Sequence, residues 1–262
     1  MMNSRIAVFL LIFGFLASCS ALDTSAASDT YDVGTETPSP SPTIVWFPPS
    51  ATPSPQFFPT QAPTPEMRPG LGVTTLTDDF SSASLWDIAK SDQGSASMDG
   101  NHLTLAAQPA VYMISIRHNL ALGNFYAEIT ASPNLCRGND AYGFLVRANS
   151  VAYYQFGLSC NGYANAERRS VGTRAILHRP VPSGDVPSGV PGKVRIGVWA
   201  VGTEMRLFLN GRYQFSINDS NYSVGTVGVF AHSDGNTPVT VNFSDLVIQD
   251  VSYILPTITP LP

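Results

Sequence analysis

The sequence has 262 residues, of which only 13% are charged, and its formal net charge is −5 at pH 7. This acidic balance, without any tract of clustered Lys and Arg, argues against nucleic acid as a partner.

The first predicted element is an uncharged apolar run over residues 6–17. It is shorter than the roughly 20 residues of a membrane-spanning helix, so it predicts the core of an export signal. The stretch LASC at 16–19 resembles the lipobox of bacterial lipoproteins, which implies removal of residues 1–18 and lipidation of Cys19. We therefore expect a lipid-anchored protein at a cell membrane, with membrane lipid as its partner through Cys19 and its domain outside the cytoplasm. The alternative is an ordinary secretory signal cut near Ala21, which would discard Cys19.

A proline-rich segment follows over residues 19–71 and contains about half of the chain's 21 prolines. Such a composition shows neither helical nor alternating periodicity and cannot bury enough apolar surface to offset the entropy lost on ordering. The segment is predicted to be a disordered, extended stalk that spaces a domain from the membrane. A second short proline-rich stretch, 254–262, is predicted to be a C-terminal tail.

Residues 72–253 have the pattern of a β domain. Short runs rich in β-branched and aromatic residues alternate with Gly, Asn, Asp and Pro, and no helix-length period competes with them. Turn chemistry supports tight hairpins at residues 99–101 (DGN) and 210–211 (NG). The spacing predicts an all-β fold, an antiparallel jelly-roll sandwich that folds as one domain, and we expect a monomer.

Two hairpins allow the register to be predicted. A turn at residues 202–203 pairs the apolar residues of its two strands and leaves Trp199 opposite Arg206 on the other face. A turn near Ser150 predicts five inward-facing residues: Phe144, Val146, Tyr154, Phe156 and Leu158. Alternation then sends Arg147, Tyr153 and Gln155 to the reverse face.

Several segments between residues 76 and 251 resemble the concanavalin-A-like lectin and glucanase jelly rolls. They are LTDDFSS, YGFLVRA, YYQFGLSCNG, MRLFLNGRY, VGTVGVFA and VNFSDLVI, and they are similar in particular to laminin-G-like modules and to the domain called 3-keto-disaccharide hydrolase. The resemblance implies the fold. It implies little about function, because lectins, glycosidases and adhesion modules share this architecture.

Cys136 and Cys160 are predicted to form a disulfide, because they are an even pair in an exported chain. Two separate buried thiols are the alternative. Neither cysteine has a CxxC or nearby histidine partner, so a metal site is not predicted.

No catalytic residues are predicted. Glycoside hydrolysis ordinarily needs two carboxylates, and the strand FYAEITA offers Glu128 alone, with a basic neighbour such as Arg147 as its expected partner. Glu167 and Arg169, in the run ERR, are interpreted as a solvated strand end. We therefore expect a non-enzyme without a cofactor.

The resemblance makes structural calcium conceivable, but it is not predicted, because turn formation explains the Asp and Asn residues that would bind it. These residues are Asp78, Asp79, Asp234, Asn236 and Asp245. The four histidines are scattered and are expected to have structural roles.

A binding surface is predicted on one face of the sandwich, where aromatic rings lie beside planar hydrogen-bonding groups as sugar recognition requires. Its residues are Tyr126, Glu128, Arg147, Tyr153 and Gln155. Carbohydrate binding, including a cell-wall polysaccharide as partner, is the first interpretation. A protein-contact or structural role and a hydrolase remain as alternatives.

Overall fold

The computed structural model describes residues 66–253. The predicted signal peptide, the lipidation site Cys19, most of the stalk and the tail 254–262 lie outside the described residues. Between residues 66 and 253 the one helical element is a single 3-10 turn, Ala83–Leu85, and no helix there is long and apolar enough to cross a membrane.

The described region consists of fifteen β-strands separated by short turns. In chain order they are β1 (Leu71–Asp78), β2 (Ala89–Ser91), β3 (Gly94–Asp99), β4 (His102–Ala107), β5 (Tyr112–Ile116), β6 (Phe125–Leu135), β7 (Ala141–Ala148), β8 (Ala152–Ser159), β9 (Tyr163–Ser170), β10 (Thr173–Pro182), β11 (Val194–Val201), β12 (Glu204–Leu209), β13 (Arg212–Asn218), β14 (Thr226–His232) and β15 (Val239–Val251).

These strands form two antiparallel sheets. The nine-stranded sheet has the order β13-β12-β11-β6-β15-β4-β3-β2, with β1 also paired to β15, and the six-stranded sheet has the order β10-β9-β8-β7-β14-β5. Apolar side chains from the inner faces of both sheets form one large core. The predicted all-β, antiparallel jelly-roll sandwich is therefore confirmed.

The predicted registers are also confirmed. Trp199 lies opposite Arg206 in the β11–β12 hairpin, and Phe144 lies opposite Phe156 in the β7–β8 hairpin. The turns have the expected chemistry, since Asn101 and Asn210 both adopt positive φ, with values of 62° and 51°.

All five side chains predicted to point inward from the β7–β8 hairpin belong to the main core and are fully buried. Each aromatic or aliphatic side chain of this kind contributes roughly 1.5 to 3 kcal/mol on burial. The hairpin is consequently a fixed platform, and its outward-facing side chains project from a rigid backbone.

The predicted disulfide is confirmed. Cys136 and Cys160 are bonded, with their Cα atoms 5.7 Å apart. The bond joins the loop between β6 and β7 to the turn between β8 and β9. It thus holds together two connections at the same end of the six-stranded sheet.

The chain enters the domain through residues 66–70, which we call the N-terminal strap. The strap lies on the outer face of the nine-stranded sheet: Trp199 Nε1 donates to the Pro69 carbonyl at 3.1 Å, and Arg206 Nη1 donates to the Met67 carbonyl at 2.8 Å. The guanidinium of Arg68 lies 5.3 Å from the ring centroids of both Tyr126 and Phe208. The linker predicted for residues 19–71 is therefore too long at its C-terminal end, because 66–71 pack on the domain.

Candidate functional site

A cleft of about 480 Å³ lies on the outer face of the six-stranded sheet. Every strand of that sheet contributes to it, so its floor consists of hydrogen-bonded backbone rather than of loops. Sites on such a scaffold keep their side chains in fixed positions.

Strand β9 supplies most of the polar side of the cleft. Its inward positions include Ala164 and Ala166, which are fully buried in the core. Because side chains alternate along a strand, the intervening residues point into the cleft. These residues are Tyr163, Asn165, Glu167 and Arg169.

Glu167 is the centre of a polar network, and it is only 2% exposed. Its carboxylate accepts from Asn165 Nδ2 at 3.0 Å, from Arg169 Nε at 3.1 Å and from Arg174 Nε at 2.8 Å, and Arg174 Nη2 donates to it as well. Burial raises the pKa of Glu167, but the hydrogen bonds and charges of the two arginines outweigh burial, so the pKa is lowered below its ordinary value. Glu167 is therefore an ionised residue that orients both guanidinium groups.

Tyr112, on β5, forms the opposite side of the cleft. Its ring stacks on Phe230 with centroids 5.5 Å apart, and the Arg169 guanidinium lies 5.0 Å from the ring centroid. Its hydroxyl donates to Gln155 Oε1 at 2.7 Å. Burial, followed by the neighbouring Tyr153, raises the pKa of Tyr112, so the phenol stays protonated.

Two glycines on the floor of the cleft leave space for neighbouring side chains. Gly143 and Gly157 are directly opposite each other on β7 and β8, and the Phe230 ring leans over both. A Cβ atom at Gly157 would lie 2.6 Å from Asn165 Oδ1 and 3.4 Å from Phe230 Cζ. A side chain at that position would therefore displace a polar group of the cleft.

The rim of the cleft carries two amide side chains that lie next to the disulfide in sequence. Asn161 Nδ2 donates to Asn139 Oδ1 at 3.0 Å, and both residues line the cleft. Each is within three residues of a disulfide cysteine, and the Cys160 N–H donates to the Asp140 carbonyl at 2.9 Å. The bond between Cys136 and Cys160 thus sets the spacing of the rim.

His232, at the end of β14, completes the lining of the cleft. Burial is the main cause that lowers its pKa, although Asp234 and Asp140 act in the opposite direction. At neutral pH the imidazole is therefore uncharged, with one donor and one acceptor nitrogen available for a ligand.

The five residues predicted to form one binding surface lie in three different places. Tyr153 and Gln155 are on β8 and contribute to the outer face of the six-stranded sheet, as predicted. Tyr126 and Glu128 are on β6 in the nine-stranded sheet, where the Tyr126 hydroxyl donates to Glu128 at 2.7 Å. The prediction that they share a surface with Tyr153 was wrong, because the two strands belong to different layers.

Arg147 does not belong to the cleft either. A bulge places one extra residue of β7 between the pairs Leu145–Gly228 and Ala148–Thr226, and Arg147 occupies it with φ at 47°. Its side chain is 1% exposed and donates to the carbonyls of Tyr222 and Gly123, both at 3.1 Å.

Simple alternation fails at this bulge, so the predicted outward position of Arg147 was wrong. The expected pairing of Glu128 with Arg147 was also wrong, since the ion-pair partner of Glu128 is Arg195. Trp199 and Arg206, the second outward pair, are not open to a ligand in this structure, because Trp199 is fully buried and the strap covers this face.

Three of the acidic residues considered for calcium accept hydrogen bonds from other side chains. Asp78 accepts from Arg117 Nε at 2.8 Å and from Trp86 Nε1 at 3.1 Å, and Asp79 accepts from Ser81. Asp245 accepts from its neighbour Ser244. Within residues 66–253, no three His, Cys, Asp or Glu side chains converge in a way that suits a metal ion.

Sequence reasoning missed the residues that dominate the cleft, namely Tyr112, Glu167, Arg169 and Arg174. The interpretation of Glu167 and Arg169 as a solvated strand end was wrong, because Glu167 is buried. The signal was present in YANAERRS, where small Ala residues alternate with aromatic and polar ones. That alternation marks a strand with a polar outer face.

The fold is similar to those of several solved bacterial proteins. The carbohydrate-binding module CBM66 from Bacillus subtilis matches with a TM-score of 0.51 and 14% identity, over 63% of this chain and 96% of that one. A Bacillus subtilis protein of unknown function with a galectin-like fold matches at 0.53 and 13% identity, over 70% and 99%. A Bacillus licheniformis β-glucanase matches at 0.52 and 10% identity, over 69% and 99%.

At these identities the similarity shows the shared jelly-roll fold alone. No protein-family model matches the sequence, and no curated protein matches it significantly.

Proposed function

We propose that this chain is a glycan-binding module that acts outside the cytoplasm, anchored to a membrane by a lipid on Cys19 and spaced from it by the proline-rich segment. The observation that carries the binding part of the proposal is the cleft on the six-stranded sheet. The lipobox-like stretch and the composition of the stalk support the anchoring part.

The cleft has the chemistry that sugar hydroxyls require. Amide, phenol, guanidinium and imidazole groups converge in it, and they offer both donors and acceptors at fixed positions. Tyr163 is 40% exposed at the rim, where its ring can lie against the apolar face of a pyranose or furanose. The fold shared with the carbohydrate-binding module CBM66 is in line with this proposal.

Binding is better supported than hydrolysis. A retaining or inverting glycosidase needs a carboxylic acid that can donate a proton beside a second carboxylate. Glu167 is held ionised by two arginines, and its oxygens already accept from three side chains. Glu128 lies in the other sheet and is paired with Arg195.

The proposal is tested by screening the purified full-length protein, in detergent, on a glycan array. Tyr163→Ala should weaken retention of any bound glycan at least tenfold. Tyr213→Ala is the matched control, because Tyr213 is 39% exposed but lies on β13 in the other sheet. Binding that both variants retain would place the site elsewhere, and the absence of any bound glycan would favour a protein-contact role.

A further inference from the structure

A smaller pocket of about 310 Å³ adjoins the cleft at the β9–β10 hairpin. It shares two residues with the cleft, Arg169 and Arg174, and within the described chain no carboxylate lines it. The remaining lining residues are Tyr153, Ser170, Gly172 and Thr173.

The two arginines have hydrogen-bonding capacity that residues 66–253 leave unused. A guanidinium has five N–H donors in a planar fork. Arg174 directs Nε and Nη2 to Glu167, and Arg169 directs Nε and Nη2 to the same carboxylate. Among the described residues neither Nη1 group has a hydrogen-bond acceptor, and Arg174 is 57% exposed.

The charge at this point is also unbalanced. One carboxylate, that of Glu167, faces two guanidinium groups, so the cluster carries a net positive charge. The hydroxyls of Ser170 and Thr173 are hydrogen-bonded to each other across the hairpin and lie on the same wall. Gly172 leaves the entrance open, since no atom of the described residues beyond its two chain neighbours lies within 4 Å of where its Cβ would be.

We propose that this smaller pocket is an anion subsite that receives the carboxylate or sulfate group of an acidic sugar whose neighbouring unit occupies the cleft. Guanidinium groups bind planar oxyanions through paired N–H bonds, and Glu167 orients both forks without entering the pocket. The preferred ligand is therefore an acidic glycan rather than a neutral one. This inference rests on the proposed glycan-binding function, which it deepens by naming the ligand class.

The test uses two pairs of polymers that differ in charge but share a backbone. Polygalacturonate is compared with its fully methyl-esterified form, and dextran sulfate with dextran, by titration against the full-length protein in detergent. We expect the charged member of at least one pair to bind ten times more tightly than its uncharged match. The pair that shows the preference identifies carboxylate or sulfate as the recognised group.

The variant Arg174→Gln should reduce that preference to about twofold or less. Arg179→Gln removes the same charge from an exposed position on β10 outside both the cleft and the pocket, so it should retain the preference. Thermal melting of both variants checks that the fold is intact.

Equal affinity for both members of each pair, or a preference that survives Arg174→Gln, would overturn the anion subsite. If neutral glycans still bind and Tyr163→Ala abolishes their binding, the proposed function stands without the subsite. If neither these polymers nor any glycan on the array binds, the proposed function fails first and the subsite with it.

Discussion

Replacing Glu167 by glutamine tests the polar network that shapes the cleft. The substitution preserves size but removes the charge to which Arg169 and Arg174 are paired. The new amide has one oxygen to accept hydrogen bonds, and its NH₂ group faces guanidinium donors. We therefore expect the arginine side chains of the cleft to become less ordered and the β9–β10 hairpin to become less stable.

The loss of stability expected for Glu167→Gln follows from how deeply Glu167 and its two arginine partners are buried. Removing one partner of a fully buried ion pair costs about 3 to 5 kcal/mol, because the other charge stays buried and unpaired. Here the side chains of Arg169 and Arg174 are 29% and 57% exposed, so both can regain water. We expect a loss of about 2 to 3 kcal/mol in the free energy of unfolding, which for a domain of this size lowers Tm by about 5 to 10 °C.

The pH dependence of this loss is a stricter test. The pKa of Glu167 in the folded protein lies below its ordinary value of 4.5, so its pairing stabilises the fold above that pH. As pH falls through the lowered pKa, the carboxylate takes up a proton and the advantage over glutamine disappears. The difference between the two proteins should be constant from about pH 6 upward and should shrink below pH 4.5.

Urea denaturation of the full-length protein and of Glu167→Gln, at pH 7 and at pH 3.5, measures both quantities. Arg179→Gln serves as the control for loss of one surface charge and should change the free energy of unfolding by less than about 0.5 kcal/mol. A Glu167→Gln variant as stable as the parent at pH 7 would refute the argument. A difference that stays the same at pH 3.5 would refute its electrostatic part.

The remaining predictions concern the anchor, the disulfide and the strap. Cys19→Ala should abolish incorporation of labelled palmitate and leave the signal uncut at that position, and unchanged labelling would contradict the lipid anchor. Replacing Cys136 and Cys160 together by serine should lower the free energy of unfolding by about 3 kcal/mol in urea titrations, and it should weaken glycan binding because the rim of the cleft loosens. A reductant should have no further effect on this variant. Undiminished stability would contradict a stabilising role for the disulfide. Trp199→Phe removes the N–H that donates to the Pro69 carbonyl, so limited proteolysis within residues 66–70 should be about fivefold faster than in the parent. Tyr163→Ala, on the six-stranded sheet, is the control and should be cut at the parent's rate. An equal rate in Trp199→Phe would mean that other contacts hold the strap.

Strand faces and tight hairpins could be predicted from the sequence, because they depend on residues close together in the chain. A strand's two faces follow from alternation, and a tight hairpin fixes its own register, so the pairing of Phe144 with Phe156 was predictable from residues on either side of one turn. The disulfide followed from the small number of cysteines and the expected export of the chain.

Which strands share a surface could not be predicted in the same way. Sheet order is set by contacts between residues far apart in sequence. This is why Tyr126 on β6 and Tyr153 on β8, which only β7 separates along the chain, lie in different layers. The bulge at Arg147 likewise comes from pairing with β14, about 80 residues downstream. Trp199 also contacts the strap, which the sequence assigns to a linker. The proline-rich composition of that linker gives no sign of the sheet on which residues 66–70 pack.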